Sequence, residues 1–399
     1  MHIHTVKDGD TVFKIARSYS TSPLKIIENN ALEAPDFLAV GEELLILTPT
    51  RTYTVRGSDS LSKIARRFGT KKNMLLANNP YLCGEDRTYP GEILAIKYDT
   101  PTRASISSNG YCFKGYDKER LMRALPYLTY LTVGCAIWER GRLSYTFDDN
   151  EILKLGREAG KITLLRVYDK SGDLPRSTDA QDAVISNIID AAKQKGYGGI
   201  TLSLSVPTGE NKAEEAEFLL KMRKRMLGCD LILFNETNAQ TPSEICELSD
   251  ANVFLYDKCA AEDIESFEEG EKKAYTHFSE TAESSKTFID LPSFAYTDGE
   301  PIETEDAKKL ARRRRCEIKT NEEALIQSFE YTEFSGGKAQ ARTVIYESLK
   351  NTKAKLELVD ELGFMGVSFD VSRVNVPTLM MIQTMFSHQQ AYICSYEEM

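Results

Sequence analysis

The chain has 399 residues, with 50 Lys+Arg against 60 Asp+Glu for a net charge of −10, and is 41% hydrophobic and 28% charged. That length suits two or three domains of ordinary globular composition. The acidic balance argues against a broad electrostatic nucleic-acid binder, and no apolar run approaches the roughly 18 residues of a membrane-spanning helix.

The eight cysteines are scattered without a CxxC pair. They read as reduced thiols of an intracellular protein rather than as a disulfide framework or zinc site. Met1–Val6 enters a strand-like pattern with neither a basic n-region nor an apolar h-region. Synthesis in the cytoplasm without a signal peptide is the expectation.

An internal repeat fills the first quarter. Shifting the chain by 49 residues lays His4-Thr5-Val6 on Tyr53-Thr54-Val55, Asp10 on Asp59, Lys14–Arg17 on Lys63–Arg66 and Asn29-Asn30 on Asn78-Asn79. One inserted residue later, Gly41-Glu42 falls on Gly91-Glu92. Each unit reads strand, helix, helix, strand. In the first, Asp10 or Thr11 caps a helix with Val12, Ile15, Ala16 and Tyr19 on one face. Pro23 opens a second helix that stops at Asn29-Asn30, and Leu44–Leu47 is the closing strand. The boundaries fall at 1–49 and 50–98.

These units resemble LysM modules, on Val6–Ala16, Asn29-Asn30 and Val40–Leu44, and again on Val55–Ala65, Asn78–Pro80 and Pro90–Leu94. The resemblance implies binding of N-acetylglucosamine polymers such as peptidoglycan or chitin. The implied groove lies between the first strand–helix loop and the segment after the second helix. In the first unit it would be lined by Gly9, Asp10, Thr11, Val12, Asn30, Ala31 and Leu32. The second unit would use Ser58, Asp59, Ser60, Leu61, Asn79, Pro80 and Tyr81. The competing reading makes the Asp residues helix caps and the Asn residues helix stops. Two tethered weak sites would gain effective concentration on a polymer.

From 104 to 399 short apolar runs alternate with helical patterns. Eight runs, at 110–113, 130–134, 162–167, 199–204, 230–234, 251–256, 286–290 and 364–369, are separated by helices such as 179–195, 213–227 and 347–362. This predicts an α/β fold, a closed parallel (β/α)8 TIM barrel. Between the seventh and eighth strands a small α+β insertion is expected at about 297–346. Within it, Asn321–Ser328 reads as helical, and Phe329–Phe334 and Ala341–Tyr346 as strands.

This second part resembles family 18 glycoside hydrolases, in the LysM-bearing branch with spore-cortex-lytic N-acetylglucosaminidases. Asn109–Tyr111, Leu125–Leu131, Leu255–Asp257, Leu291-Pro292 with Tyr296, and Glu361–Ser368 carry the resemblance. That family hydrolyses glycosides by a substrate-assisted route, using Asp-x-x-Asp-x-Asp-x-Glu on the fourth strand. Here the aligned segment is Gly196–Ser205, and the four acidic positions are Gly198, Thr201, Ser203 and Ser205. A serine has no accessible pKa for general acid work, a contribution of about 10²–10⁴-fold, so no catalytic residue is assigned.

The resemblance makes Tyr111, Tyr256, Asp257, Tyr296 and Phe369 the expected barrel cleft, with Phe369 in the place of the family's stacking Trp. Relocated carboxylates at Asp169, Glu236, Asp257 or Asp298 form the alternative, an active peptidoglycan N-acetylglucosaminidase of cortex lysis and germination. The main expectation is a non-catalytic binder of N-acetylglucosamine-containing polysaccharide. The resemblance also implies spore-coat, cortex or cell-wall association, with spore-coat proteins as further partners.

Arg312–Arg315 ends a helix opened by acidic residues and reads as a solvated, dipole-complementing face. His2 and His4 at a terminus make at best a weak metal site, and His277 and His388 have no nucleophilic partner at a telling spacing. Trp138 suits either cleft lining or core. No metal or cofactor is called for.

Overall fold

The computed structural model describes residues 1–33, 37–98, 104–139, 142–170, 177–204, 212–256, 266–291, 294–298, 300–335 and 338–388. The first repeat unit is a βααβ module. Strand His2–Thr5 pairs antiparallel with Glu43–Ile46, and helices Val12–Ser18 and Pro23–Asn29 lie between them. The second repeats the plan with strands Pro49–Thr54 and Ile93–Tyr98 around helices Leu61–Phe68 and Lys72–Asn78.

The choice between Asp10 and Thr11 as cap falls to Thr11, whose hydroxyl accepts from the Lys14 amide at 3.2 Å; Ser60 does the same for Lys63. Asp10 and Asp59 instead close the preceding loop, accepting from the Lys7 and Arg56 amides at 2.8 and 2.9 Å.

Eight parallel strands then close on themselves. They are β1 (Ser105–Cys112), β2 (Tyr130–Glu139), β3 (Ile162–Asp169), β4 (Gly199–Ser203), β5 (Ile232–Thr237), β6 (Ala251–Phe254), β7 (Thr287–Asp290) and β8 (Gly366–Asp370), with β8 pairing back to β1. The two-residue pleat sorts the side chains. Ile200 and Leu202 of β4, and Val367 and Phe369 of β8, join the core between strands and helices. Tyr111, Tyr130, Leu164, Phe234, Val253 and Phe288 pack together in the barrel interior. Phe369 is thereby corrected: it is fully buried on the outer face of β8, and the residue that follows it on the mouth side is Asp370.

The insertion is a five-stranded antiparallel sheet with the helix Thr304–Arg314 against it. It begins at Phe294, three residues before the expected start. Asn321–Ser328 is not helical. Lys319–Asn321 and Ile326–Ser335 are paired strands joined by a turn, and the latter also pairs along its length with Lys338–Glu347. The local apolar spacing suited a helix, but pairing on both sides fixes Ile326–Ser335 as strand, a tertiary override of a local pattern.

The repeat units are docked on the barrel. Leu45, Leu47, Ala77, Ala95 and Tyr98 belong to the barrel's own core. Tyr127 donates to the Ala77 carbonyl at 2.7 Å. Every residue of the last helix, Val376–Met385, is buried, which an apolar helix requires. On the other unit, Arg312 makes a buried two-pronged ion pair with Glu42, with Nε to Oε2 at 3.0 Å. Arg312 is therefore a docking residue and not part of a solvated face. Among the described residues no helix is long and apolar enough to cross a membrane.

Candidate functional site

Strand alternation stacks the barrel interior in levels. Low in the barrel, the Tyr130, Phe234 and Phe288 rings meet, with Tyr130–Phe234 centroids 5.0 Å apart. Above them runs a hydroxyl–amide layer. Thr132 donates to the Asn109 side-chain oxygen at 2.8 Å and lies 3.3 Å from the Thr201 hydroxyl, while the Asn109 amide donates to Ser368 at 3.3 Å. Thr201 is fully buried. A carboxylate in its place would enter a layer with no cation among these partners, so a small hydroxyl suits the position.

The mouth lies at the strands' C-terminal ends, where such barrels carry their sites. Arg166 of β3 reaches across and grips Glu236 of β5 with both prongs, Nε–Oε1 2.6 Å and Nη2–Oε2 2.7 Å, and also donates to Ser203 of β4 at 2.8 Å. The Glu236 side chain is only 5% exposed. Its neighbour Glu236 holds the Arg166 guanidinium above its usual pKa against the pull of burial. Phe113 and Tyr168 flank that guanidinium at 5.7 and 5.4 Å, and Tyr111 stacks on Phe113. Burial, aided by Glu236, pushes the Tyr111 hydroxyl well above its ordinary value. Asp290 at the end of β7 completes the group. Burial pushes its carboxyl up to about 7, and the Glu236 and Asp370 charges push the same way.

Of the other carboxylates, Asp169 is 2% exposed and follows Tyr168 on the strand's opposite face. Asp298 lies in the insertion, paired with Arg342 at 2.5 Å. Tyr296 is also in the insertion sheet, opposite Pro301 and Ile345. Tyr256 packs beside Tyr275. Trp138 is core, stacked on Phe218 at 6.2 Å. Ser205 and Asp257 lie outside the described residues. Gly198 precedes β4, and a Cβ there would stand 2.8 Å from Ile162 Cγ2.

Arg166 and Asp290 were not singled out from sequence. The alternation along β3 and β7 that places them inside was the available signal.

In the repeat units Asn30 and Asn79 are buried and spent on structure. Each amide donates to the second helix and to the closing strand, and each side-chain oxygen accepts from that strand, at Leu45 and Ala95, all within 2.7–2.9 Å. Val12 and Leu61 are core residues. Gly9 and Ser58 are exposed, and Asp10, Thr11, Asp59, Ser60, Ala31 and Tyr81 keep part of their surface.

Residues 4–47 and 53–97 match the LysM domain. The spore cortex-lytic enzyme SleL of Bacillus megaterium QM B1551 shares the fold over 98% of this chain and 99% of its own, at TM-score 0.76 and 19% identity. SleL of Bacillus cereus does so over the same shares, at 0.75 and 20%. A chitinase from Chromobacterium violaceum ATCC 12472 superposes on 70% of this chain and 99% of its own, at 0.62 and 15%. At these identities the likeness is one of fold. No curated protein matches the chain.

Proposed function

We propose that the chain binds N-acetylglucosamine-containing glycan, peptidoglycan of wall or spore cortex in the first instance, and that its barrel serves as scaffold or lectin without glycoside hydrolysis. The carrying observation is the pair of LysM matches at 4–47 and 53–97. The barrel half of the reading is supported by the residues at the aligned acidic positions, Gly198, Thr201, Ser203 and Ser205. It is also supported by the state of Glu236, whose two oxygens are both held by Arg166. A carboxylate gripped by both prongs of a guanidinium has its two oxygens committed to that pair and not turned to a substrate. The fold shared with SleL supports spore cortex as the glycan and a spore-associated place for the protein.

A second reading has one observation in its favour. Asp290, whose carboxyl burial pushes up to about 7, shares the mouth with Glu236, and a carboxyl raised toward neutrality is what a general acid needs.

A single experiment separates the two. The full chain is incubated with insoluble peptidoglycan, and both bound protein and released muropeptides are measured. Binding without release is expected. Release that disappears in Asp290→Asn and Glu236→Gln establishes the hydrolase instead, and absence of binding removes the glycan reading.

A further inference from the structure

A cleft of about 450 Å³ opens where both repeat units, the barrel and the insertion helix meet. Each unit turns toward it the segment that follows its second helix: Ala31 and Leu32 from the first, Pro80 and Tyr81 from the second. The strand–helix loops, Gly9–Val12 and Ser58–Leu61, do not line it. Lys25 fixes the two segments relative to each other. Almost wholly buried, it donates to Glu28 at 2.5 Å and to the Ile93 carbonyl at 3.0 Å, and stands 5.4 Å from the Tyr81 ring centre.

The barrel supplies the opposite wall, with Val374 and Arg123. Arg123 pairs with Glu119 at 2.8 Å and meets the Cys83 sulfur at 3.2 Å, which holds its guanidinium at the cleft wall. The cleft thus combines apolar Leu32, Tyr81 and Val374 with polar Glu119, Arg123 and Lys309. Its volume falls in the range of small-ligand sites, about 300–1,000 Å³. An N-acetylated sugar offers a methyl and ring face to such apolar groups and carbonyl and hydroxyl oxygens to such polar ones.

We propose that this cleft is one composite site for an N-acetylglucosamine oligosaccharide, to which both repeat units and the barrel contribute, in place of two independent grooves. The proposal rests on the glycan-binding reading. It differs from the paired-groove expectation in stoichiometry and in the residues it needs.

The full chain is titrated with chitotetraose by calorimetry. One oligosaccharide per chain is expected. Val374→Trp, which fills the cleft, and Arg123→Met, which removes the guanidinium from its wall, each weaken binding at least tenfold while the thermal unfolding midpoint shows a folded protein. Asp8→Arg and Arg56→Glu, in the strand–helix loops, change affinity less than twofold. Two equivalent sites, or sensitivity to the loop variants and not to the cleft variants, overturn the composite site and leave the glycan reading standing. No binding by the unmodified chain removes both.

Discussion

Glu236 and Arg166 meet from β5 and β3 in a geometry that satisfies both prongs of the guanidinium, with side chains 5% and 19% exposed. Such a pair adds little over an apolar pair of similar volume, because desolvation offsets the attraction, but breaking it strands one charge. Glu236→Leu is therefore expected to cost about 3–5 kcal/mol in urea unfolding, and Arg166→Met with Glu236→Leu to recover most of that loss. Equal losses in the single and double variants refute the coupling. Asp290 carries a different prediction. Its carboxyl is pushed up to about 7 from an ordinary 3.8 by burial. Between those values the folded protein holds a proton that the unfolded chain has released, so rising pH favours unfolding. The stabilising contribution is complete below about pH 4 and is lost as pH climbs through about 7, at up to about 1.4 kcal/mol per unit. Glu215, also pushed up to about 7 by burial, acts in the same direction. Asp290→Asn is expected to flatten part of the decline in unfolding free energy between about pH 4 and 7, and Glu215→Gln a further part. An unchanged slope in Asp290→Asn counts against its burial in the mouth.

The repeat makes the chain its own control at the level of elements. Gly41 and Gly91 occupy the same turn before the closing strand, both with positive φ, +85° and +94°. A Cβ at Gly41 would stand 1.8 Å from the Ile318 carbonyl oxygen, whereas one at Gly91 meets nothing within 4 Å. The backbone around Gly41 is bonded into the insertion: Ile318 donates its amide to the Val40 carbonyl, and the Gln327 side chain donates to the Gly41 carbonyl, both at 2.8 Å. Gly91→Ala should cost only the left-handed penalty of about 1–2 kcal/mol. Gly41→Ala should cost clearly more in the same denaturant series, because it also displaces this contact; equal costs refute the docking role. The repeat was legible because identities recur under one shift, and the eight strands because apolar runs of strand length alternate with helices. Phe369 was expected at the mouth but packs into the core between strands and helices, and alternate residues of a strand face opposite sides. Asn321–Ser328 was misread because its partners are distant in sequence. The Arg166–Glu236 grip stayed hidden for a related reason: the two residues are 70 positions apart, and only closure of the barrel makes them neighbours.

At the scale of the molecule, the repeat units are not beads on a string. Leu45 and Leu47 of the first and Ala77, Ala95 and Tyr98 of the second share one core with the barrel. Glu43 accepts from the Leu349 amide at 2.7 Å, and Gln383 donates to Asn78 at 3.2 Å. Small modules of about 45 residues have marginal cores of their own, and here each borrows stability from the barrel that it covers. The borrowing runs both ways, because Val376–Met385, buried on every side, would face water along the surface that the modules leave. Removing residues 1–98 is therefore not a neutral way to separate anchor from barrel. The truncated chain is expected to unfold at a midpoint several degrees lower, since about 1 kcal/mol shifts Tm by roughly 2–4 °C in a domain of 150–250 residues. It should also bind an apolar dye that the full chain does not. The full chain, by contrast, should unfold in one transition by calorimetry, with modules and barrel melting together. A separate early transition for the modules, or a truncated barrel as stable as the whole, shows that the shared core is contact without cooperativity. Loss of glycan binding on truncation would then report on the modules alone; with a cooperative core, point variants in the cleft are the cleaner probe.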